Sequence, residues 1–305
     1  MRKKLYLHIG AAKTATTTIQ WYLYQNRAAL RRHGILYPDS PCAMDAGESA
    51  QHALAWTIHR FKGYEDQSRL RQAVDEIMAQ EAPTAIISSE VFEVCTPGQV
   101  GELAKYFAHF DVEVILYARN AWGFVTSCYK HNIFYTGAVE DFRAFMLREA
   151  SRCDFAARSE TWGEHFGPRN VHVRLFDKIS RHPGVLRDFF GVVAPGHAGL
   201  ATELPDDLRM NVGIDDASVR AVLLLNRIAQ WTARHAHDSP RVTRWKQRMR
   251  RRGRLGRAAR VADNVIPGTY WKSADRRWLT AKAQEWNDRF FPRHAPPEDR
   301  QFLEF

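Results

Sequence analysis

The sequence predicts an α/β protein in which a parallel β-sheet is flanked by helices and followed by a helical C-terminal region. Short apolar runs rich in β-branched residues alternate with segments of helical periodicity as far as about residue 190. Such alternation is typical of parallel sheets with right-handed crossovers. A chain of 305 residues is also long enough to bury a substantial core.

Each strand is assigned from a short apolar run with polar or turn residues at its ends, and each helix from a 3.6-residue apolar period. The predicted strands are residues 4–9, 84–88, 112–118 and 171–175. The predicted helices are residues 16–32, 49–61, 67–80, 97–109, 121–134, 138–149, 154–166, 214–236, 240–251 and 270–291, with a loop at 37–47.

The domain organisation follows from the glycine and proline content of residues 191–213. Clusters of these two residue types interrupt regular structure, so this segment is predicted to be a linker. Residues 1–190 would then form the α/β core, and residues 214–305 a helical part of the same domain.

The first turn of the predicted sheet has the features of an anion-binding site. The strand ends at Gly10, and a helix begins near Thr16. The first N–H groups of a helix lack intrahelical partners and carry partial positive charge, which favours a bound anion. Lys13 adds a full positive charge, and Thr14, Thr16 and Thr17 add hydroxyl groups. The alternative is a simple corner in which the threonines cap the helix.

The order of residues around Lys13 differs from the nucleotide-binding pattern Gly-x-x-x-x-Gly-Lys-Ser/Thr, because the only glycine is Gly10. The spacing Lys-x-x-Thr-Thr instead resembles the 5′-phosphosulfate loop of sulfotransferases that use 3′-phosphoadenosine-5′-phosphosulfate (PAPS). That loop usually reads Pro-Lys-x-Gly-Thr-Thr. This chain has Ala12 in place of the proline and Ala15 in place of the glycine.

A second motif of that family lies at the end of the predicted strand 112–118. In sulfotransferases this strand ends at an arginine, and a serine eight residues later joins it in binding the 3′-phosphate of the nucleotide. Arg119 and Ser127 have this spacing. Arginine suits the role because its planar guanidinium is permanently charged and matches phosphate oxygens. The alternative is a surface arginine in a salt bridge and an exposed serine.

Two residues are candidates for the general base. In one branch of the family a histidine follows the strand before the arginine strand, and Glu90 occupies that position here. Some glycan-modifying relatives use a glutamate, and the carboxyl end of a strand is where open α/β sheets place ligands. His52, at the start of a predicted helix, is the second candidate, since imidazole accepts a proton near pH 7. Either side chain could instead be structural.

The resemblance covers roughly residues 5–190 and is to bacterial sulfotransferases that act on glycans. It implies a sheet related to that of P-loop kinases, PAPS as cosubstrate, 3′-phosphoadenosine-5′-phosphate (PAP) as product, and a carbohydrate hydroxyl as acceptor. The implied nucleotide-binding residues are Gly10, Lys13, Thr14, Ala15, Thr16, Thr17, Arg119 and Ser127. Lys13 would also assist catalysis. No metal is expected, because no compact set of His, Cys and carboxylate ligands is visible.

Charge is concentrated in one segment. The net charge is +10, and residues 241–260 contain ten Lys or Arg and no acidic residue, so the rest of the chain is neutral overall. Such a block indicates an interaction surface, here for an anionic acceptor or a membrane surface rather than nucleic acid. The alternative is a solvated basic face.

The sequence is also compatible with two other functions. One is a P-loop kinase of a small molecule, and the other is a non-catalytic anion or nucleic-acid binder that depends on residues 241–260. The four cysteines show no Cys-x-x-Cys spacing, and no apolar run reaches eighteen residues. We therefore expect a cytoplasmic protein with free thiols.

Overall fold

The computed structural model describes residues 2–39, 49–195, 216–235 and 269–304. Its centre is a five-stranded sheet in which every pair of neighbouring strands is parallel. The strands are β1 (Lys4–Gly10), β2 (Ile35–Leu36), β3 (Thr84–Ser88), β4 (Asp111–Ala118) and β5 (Val171–Leu175). The predicted fold class, a parallel sheet flanked by helices, is thereby confirmed.

The strand order across the sheet is β2-β3-β1-β4-β5. The chain therefore leaves β1 toward one side of the sheet, whereas it leaves β4 toward the other side. Between two such strands the connections diverge and open a crevice at the carboxyl end of the sheet, which is where open α/β folds bind ligands. The segments after Gly10 and after Ala118 lie at this position.

Helices fill most of the connections. They are α1 (Thr16–Gln25), α2 (Arg27–Arg32), α3 (His52–His59), α4 (Ser68–Ala79), α5 (Pro97–Tyr106), α6 (Ala121–His131), α7 (Phe142–Glu149), α8 (Phe155–Phe166), α9 (Phe176–Ile179), α10 (Val185–Val193), α11 (Asp216–His235) and α12 (Ser273–His294). Short 3-10 turns occur at Glu90–Val94, Ala150–Cys153, Pro168–Asn170 and Pro297–Phe302, and a π turn at Asn132–Thr136.

The four predicted strands are confirmed to within a residue, and most predicted helices to within three residues. The predicted helix 16–32 is two helices, because the chain breaks at Asn26. Helix α10 and the two-residue strand β2 were not predicted, and α10 extends into the start of the predicted linker 191–213. Most of that linker, the helix 240–251 and the basic segment 241–260 lie outside the described residues.

Both faces of the sheet are covered. On one face, alternate residues of the strands pack against α1 and α10 in an apolar cluster that includes Tyr6, Ile86, Ile115, Ile19 and Phe189. On the other face, α8 packs on β4 and β5 and also contacts α5. Because both faces are buried, the strands are almost continuously apolar, as expected for a parallel sheet.

The chain divides into two compact units. The first comprises Met1–Asn120, Arg152–Asn211 and Ala283–Phe305, and contains the whole sheet. The second comprises Ala121–Ser151 and Val212–Lys282, and its described part centres on the ring of Tyr129, which contacts Phe142, Phe145 and Tyr270. Among the described residues, no helix combines the length and apolar character needed to cross a membrane.

Candidate active site

The loop between β1 and α1, residues 10–15 and here called the Lys13 loop, has an unusual backbone. The φ angles of Gly10, Lys13 and Ala15 are +85°, +64° and +59°, all in the left-handed region. Among the described residues, Arg60 is the one other non-glycine residue with positive φ. Such conformations cost free energy and persist where surrounding contacts impose them, which is typical of functional loops.

Helix α1 presents its N-terminus to the end of this loop. Its N-cap residue is Ala15, which has no side chain able to accept a hydrogen bond from the first turn. No side chain therefore caps the first turn, although the N–H of Thr18 donates to the carbonyl oxygen of Ala15. The first N–H groups, of Thr16 and Thr17, and the partial positive charge of the helix can face an anion. Thr17 is half-buried here, whereas Thr16 is buried.

Thr14 shapes the loop from within. Its side chain is fully buried, and its hydroxyl donates a hydrogen bond of 2.5 Å to the carbonyl oxygen of Ala11. That hydroxyl hydrogen is used inside the loop and is not directed at an anion. A contribution of Thr14 to anion binding would therefore have to come from its backbone N–H. The binding role predicted for Thr14 stays a prediction.

Arg119 meets the Lys13 loop at the carboxyl end of β4. Its Nη1 atom donates a hydrogen bond of 2.5 Å to the carbonyl oxygen of Lys13, and its guanidinium lies 5.3 Å from the ring centre of Phe176. The structure thus brings together two residues that the sequence separates by 106 positions. The next residue, Asn120, donates its N–H to Asp177, and burial raises the pKa of that carboxyl.

Ser127, the predicted companion of Arg119, is a half-buried residue of α6. It belongs to the second compact unit, whereas Arg119 belongs to the first. A shared phosphate contact of the two residues stays a prediction.

The two candidate bases lie side by side. Glu90 begins the 3-10 turn that follows β3, and His52 begins α3. His52 Nε2 and Glu90 Oε1 are 3.9 Å apart, and both side chains are mostly buried, with 18% and 25% exposed. The other carboxylate oxygen of Glu90 accepts a hydrogen bond of 2.7 Å from Gln20 Nε2.

Ser89 fixes the imidazole from its other side. Its Oγ lies 2.8 Å from His52 Nδ1 and also accepts the N–H of Val91. If Ser89 donates its hydroxyl hydrogen, the proton of the neutral ring is on Nε2, facing Glu90; if Nδ1 donates, Nε2 is free to accept a proton. In either arrangement Nε2 of His52 lies beside the carboxylate of Glu90, at 3.9 Å from Oε1.

This acid–base pair directly adjoins the Lys13 loop. A Cβ atom built on Gly10 would lie 2.7 Å from Glu90 Cβ, which is closer than carbon atoms approach. Glycine is therefore required at this position for space as well as for its positive φ. Lys13, Arg119, Glu90 and His52 all belong to the first unit and converge on the carboxyl end of its sheet.

A buried ionic cluster behind the loop was missed by the sequence reasoning. The carboxylate of Glu93, of which 1% is exposed, accepts a hydrogen bond of 2.9 Å from the backbone N–H of Ala12. The same carboxylate forms ion pairs with Arg152 and Arg158. Burial lowers the pKa of Arg152 to about 10, so it remains a cation at neutral pH. An acidic residue three positions after Glu90 was the available signal.

His8 lies beneath the site on β1. Its ring is completely buried between Tyr117 and Phe189, and its Nδ1 lies 2.7 Å from Ser88 Oγ. Burial lowers the pKa of His8 to about 4, so the ring is neutral at pH 7. His8 therefore places a polar but uncharged ring beneath the site.

No set of three or more His, Cys, Asp or Glu side chains within the described ranges is arranged to hold a metal ion. The groups that converge on the crevice are instead cationic side chains, helix N–H groups and one acid–base pair. That set is suited to an anionic ligand and to removal of a proton beside it.

Comparison with known proteins gives a distant likeness. No family model matches the chain, and no curated protein matches it. Among solved structures, the chain is similar to a sulfotransferase from Alicyclobacillus acidocaldarius, with 19% sequence identity and a TM-score of 0.44. The likeness covers 78% of this chain and 98% of that one. The fold described above follows from the strand order and pairing and does not depend on this likeness.

Proposed function

We propose that the protein is a sulfotransferase that moves a sulfuryl group from PAPS to a hydroxyl group of a carbohydrate or glycoconjugate. The observation that carries the proposal is the hydrogen bond of 2.5 Å from Arg119 to the carbonyl oxygen of Lys13. It joins the two cationic elements that a doubly phosphorylated nucleotide needs, a lysine loop at a helix N-terminus and an arginine just after the neighbouring strand β4.

The donor would be bound by the groups that line the crevice. The backbone of Gly10 and Ala15 and the first turn of α1, with Thr16 and Thr17, would hold the 5′-phosphate. Arg119 would hold the 3′-phosphate, together with Ser127. These residues supply positive charge and N–H donors, so they fit PAPS chemically.

The acid–base pair would act on the acceptor. Glu90 or His52 takes the proton from the acceptor hydroxyl as its oxygen bonds to sulfur, while the bond from sulfur to the bridging phosphate oxygen breaks. Gln20, bonded to one oxygen of Glu90, orients the carboxylate. Lys13 stabilises the negative charge that develops on the bridging oxygen. Positioning and electrostatics then supply most of the rate enhancement, as in phosphoryl transfer.

Calorimetry with PAP in the absence of magnesium tests the donor assignment. PAP should bind the wild type, and Arg119→Ala should weaken binding about tenfold or more, because a charge-assisted hydrogen bond is lost. ATP without magnesium should not bind comparably. Binding of ATP only with magnesium, and no binding of PAP, would favour the small-molecule kinase, which shares the parallel sheet and the lysine loop.

An acceptor assay tests the second half of the proposal. Transfer of labelled sulfate from PAPS should be faster to carbohydrate hydroxyls than to simple phenols. No transfer to any acceptor, combined with salt-sensitive binding to polyanions that is lost on deleting residues 241–260, would favour the non-catalytic binder. Contact of that segment with an anionic acceptor or a membrane surface, and a cytoplasmic location, remain proposals as well.

A further inference from the structure

Glu93 is a buried carboxylate with three donors around it. It lies in the turn Glu90–Val94, and the donors are the backbone N–H of Ala12 at 2.9 Å, Nη2 of Arg152, and Nη1 of Arg158 at 3.5 Å. A buried carboxylate without partners would be very costly, so these contacts must satisfy it. Two of them could be made anywhere in the core, but the third reaches into the Lys13 loop.

Arg158 is itself held in place by further contacts. Arg158 donates a second hydrogen bond, of 2.6 Å, to the carbonyl oxygen of Arg152, and its guanidinium lies 5.3 Å from the ring centre of Phe155. Only 9% of the Arg158 side chain is exposed. Because Arg158 is held in this way, it helps to orient the carboxylate of Glu93 as an acceptor for Ala12.

Successive backbone groups of the Lys13 loop are bound by different parts of the first unit. The contacts are Ala11 N–H to the carbonyl of Tyr117, Ala12 N–H to Glu93, and Arg119 to the carbonyl of Lys13. Among these, the Glu93 contact immediately precedes the lysine. It also uses an ionised acceptor, which makes it stronger than a neutral hydrogen bond.

The hydrogen bond to Glu93 is possible because residue 12 is not proline. The sulfotransferase loop that this chain resembles has proline at this position, and proline has a fixed φ but no N–H. Ala12 lacks the ring and has the N–H. We infer that Glu93 is a positioning residue, which fixes Ala12 by a hydrogen bond and thereby holds Lys13 in its anion-binding conformation.

The identity of the anion, PAP, rests on the proposed function, whereas the loop-holding role does not. The test therefore combines two measurements. Calorimetry gives the affinity for PAP, and hydrogen–deuterium exchange of the backbone amides of residues 11–16 reports on the loop in the ligand-free protein. A merely structural ion cluster would alter global stability but would leave the exchange of this loop, relative to the sheet, unchanged.

The first variant is Glu93→Gln. Its amide has one acceptor and one donor group, so it must face either Ala12 or the arginines with its donor side. We expect exchange at residues 11–16 to rise at least about tenfold, and PAP affinity to fall about tenfold. Glu93→Asp keeps a carboxylate beside the arginines but shortens the side chain, so that it no longer reaches Ala12. It should change both readouts in the same direction, and it provides the test if the glutamine variant folds poorly.

Glu113→Gln is the matched control. Glu113 is also a mostly buried carboxylate of the first unit. Among the described residues it pairs with Lys4 at 3.1 Å and lies 2.8 Å from His172, and neither of these belongs to the Lys13 loop. The Glu113→Gln variant should leave both the PAP affinity and the loop exchange within about twofold of the wild type. Loop exchange in the two Glu93 variants that matches the Glu113→Gln control would overturn the inference.

A double-mutant cycle tests whether the effect passes through the N–H of Ala12. Ala12→Pro removes that donor, so adding Glu93→Gln to it should weaken PAP binding no more than about twofold. An undiminished tenfold loss in the Ala12→Pro background would show that Glu93 acts by another route. If the wild type fails to bind PAP, the proposed function fails, and loop exchange in the Glu93 variants still decides the present inference.

Discussion

The two ends of the sheet in the first unit both carry ion pairs, but they use them differently. Near the amino ends of the strands, Glu113 pairs with Lys4 at 3.1 Å and with His172 at 2.8 Å, and all three side chains keep some exposure. At the carboxyl end, Glu93 is 1% exposed and bonds to loop backbone as well as to arginines.

The difference shows where charge determines backbone conformation. Partly exposed side-chain pairs such as those of Glu113 contribute little to stability, typically below about 1 kcal/mol. The carboxyl-end contacts instead surround a loop that keeps Lys13 and Ala15 in the left-handed region. We therefore expect substitutions at the carboxyl end to have large effects and equivalent ones at the amino end to have small effects.

The largest expected effect comes from comparing two lysines. Lys13→Ala should reduce sulfuryl transfer by about 100-fold or more, because a charge that stabilises the transition state is lost, while the fold stays intact. Lys4→Ala, at the amino end, should leave turnover within about twofold. Steady-state kinetics with PAPS and circular dichroism measure this. Undiminished turnover in Lys13→Ala would remove Lys13 from the mechanism.

The next effect concerns the pH dependence of stability. Burial lowers the pKa of His8 from 6.5 to about 4. Between these two pH values His8 is mostly protonated in the unfolded chain and mostly neutral in the folded chain. The free energy of unfolding should therefore fall as the pH drops from 6.5 to 4, by about 3 kcal/mol from this residue.

Urea titrations at several pH values test this for the wild type and for His8→Asn. The variant lacks the titrating ring, so its free energy of unfolding should lose this part of the slope. An identical slope in both proteins would mean that His8 is not the buried neutral group described here.

A pair of glycines separates backbone strain from steric contact. Gly10 and Gly63 have similar φ angles, +85° and +88°, but an added Cβ would lie 2.7 Å from Glu90 at Gly10 and would meet nothing within 4 Å at Gly63. Gly63→Ala should cost about 1 kcal/mol of stability and Gly10→Ala about 2–3 kcal/mol. Thermal unfolding measures both, and equal losses would show that the Glu90 contact relaxes freely.

The smallest expected effect is a gain. Ala15 has φ +59° at the N-cap of α1, where glycine carries no steric penalty. Ala15→Gly should raise the free energy of unfolding by about 0.5–1 kcal/mol, net of the added flexibility of the unfolded chain. A loss of stability on calorimetry would argue against the left-handed conformation of this residue.

The strands of the fold were predictable because each is a short apolar run with clear ends. Strand β2 was not, since two residues are too few to show a period. The break at Asn26 was missed because neither glycine nor proline marks it. The side-chain Nδ2 of Asn26 donates to the carbonyl oxygen of Tyr22, which also accepts the backbone N–H of Asn26. Asparagine side chains bond readily to nearby backbone groups and therefore favour helix ends.

The site was predictable in part for a related reason. Lys13 and Arg119 each follow a strand, so strand order alone brings them to one edge. The partners of Glu93 lie 59 and 65 residues further along the chain and leave no periodic signal. A charged residue that is buried by long-range pairing looks, in sequence, like any surface charge.

The close approach of Gly10 to Glu90 has a consequence for redesign. The backbone segment that precedes Lys13 and the segment that carries the carboxylate touch at van der Waals distance, so neither can be transplanted or lengthened alone. A library that aims to change which molecule is modified should leave residues 10 and 90 untouched and diversify positions outside that contact.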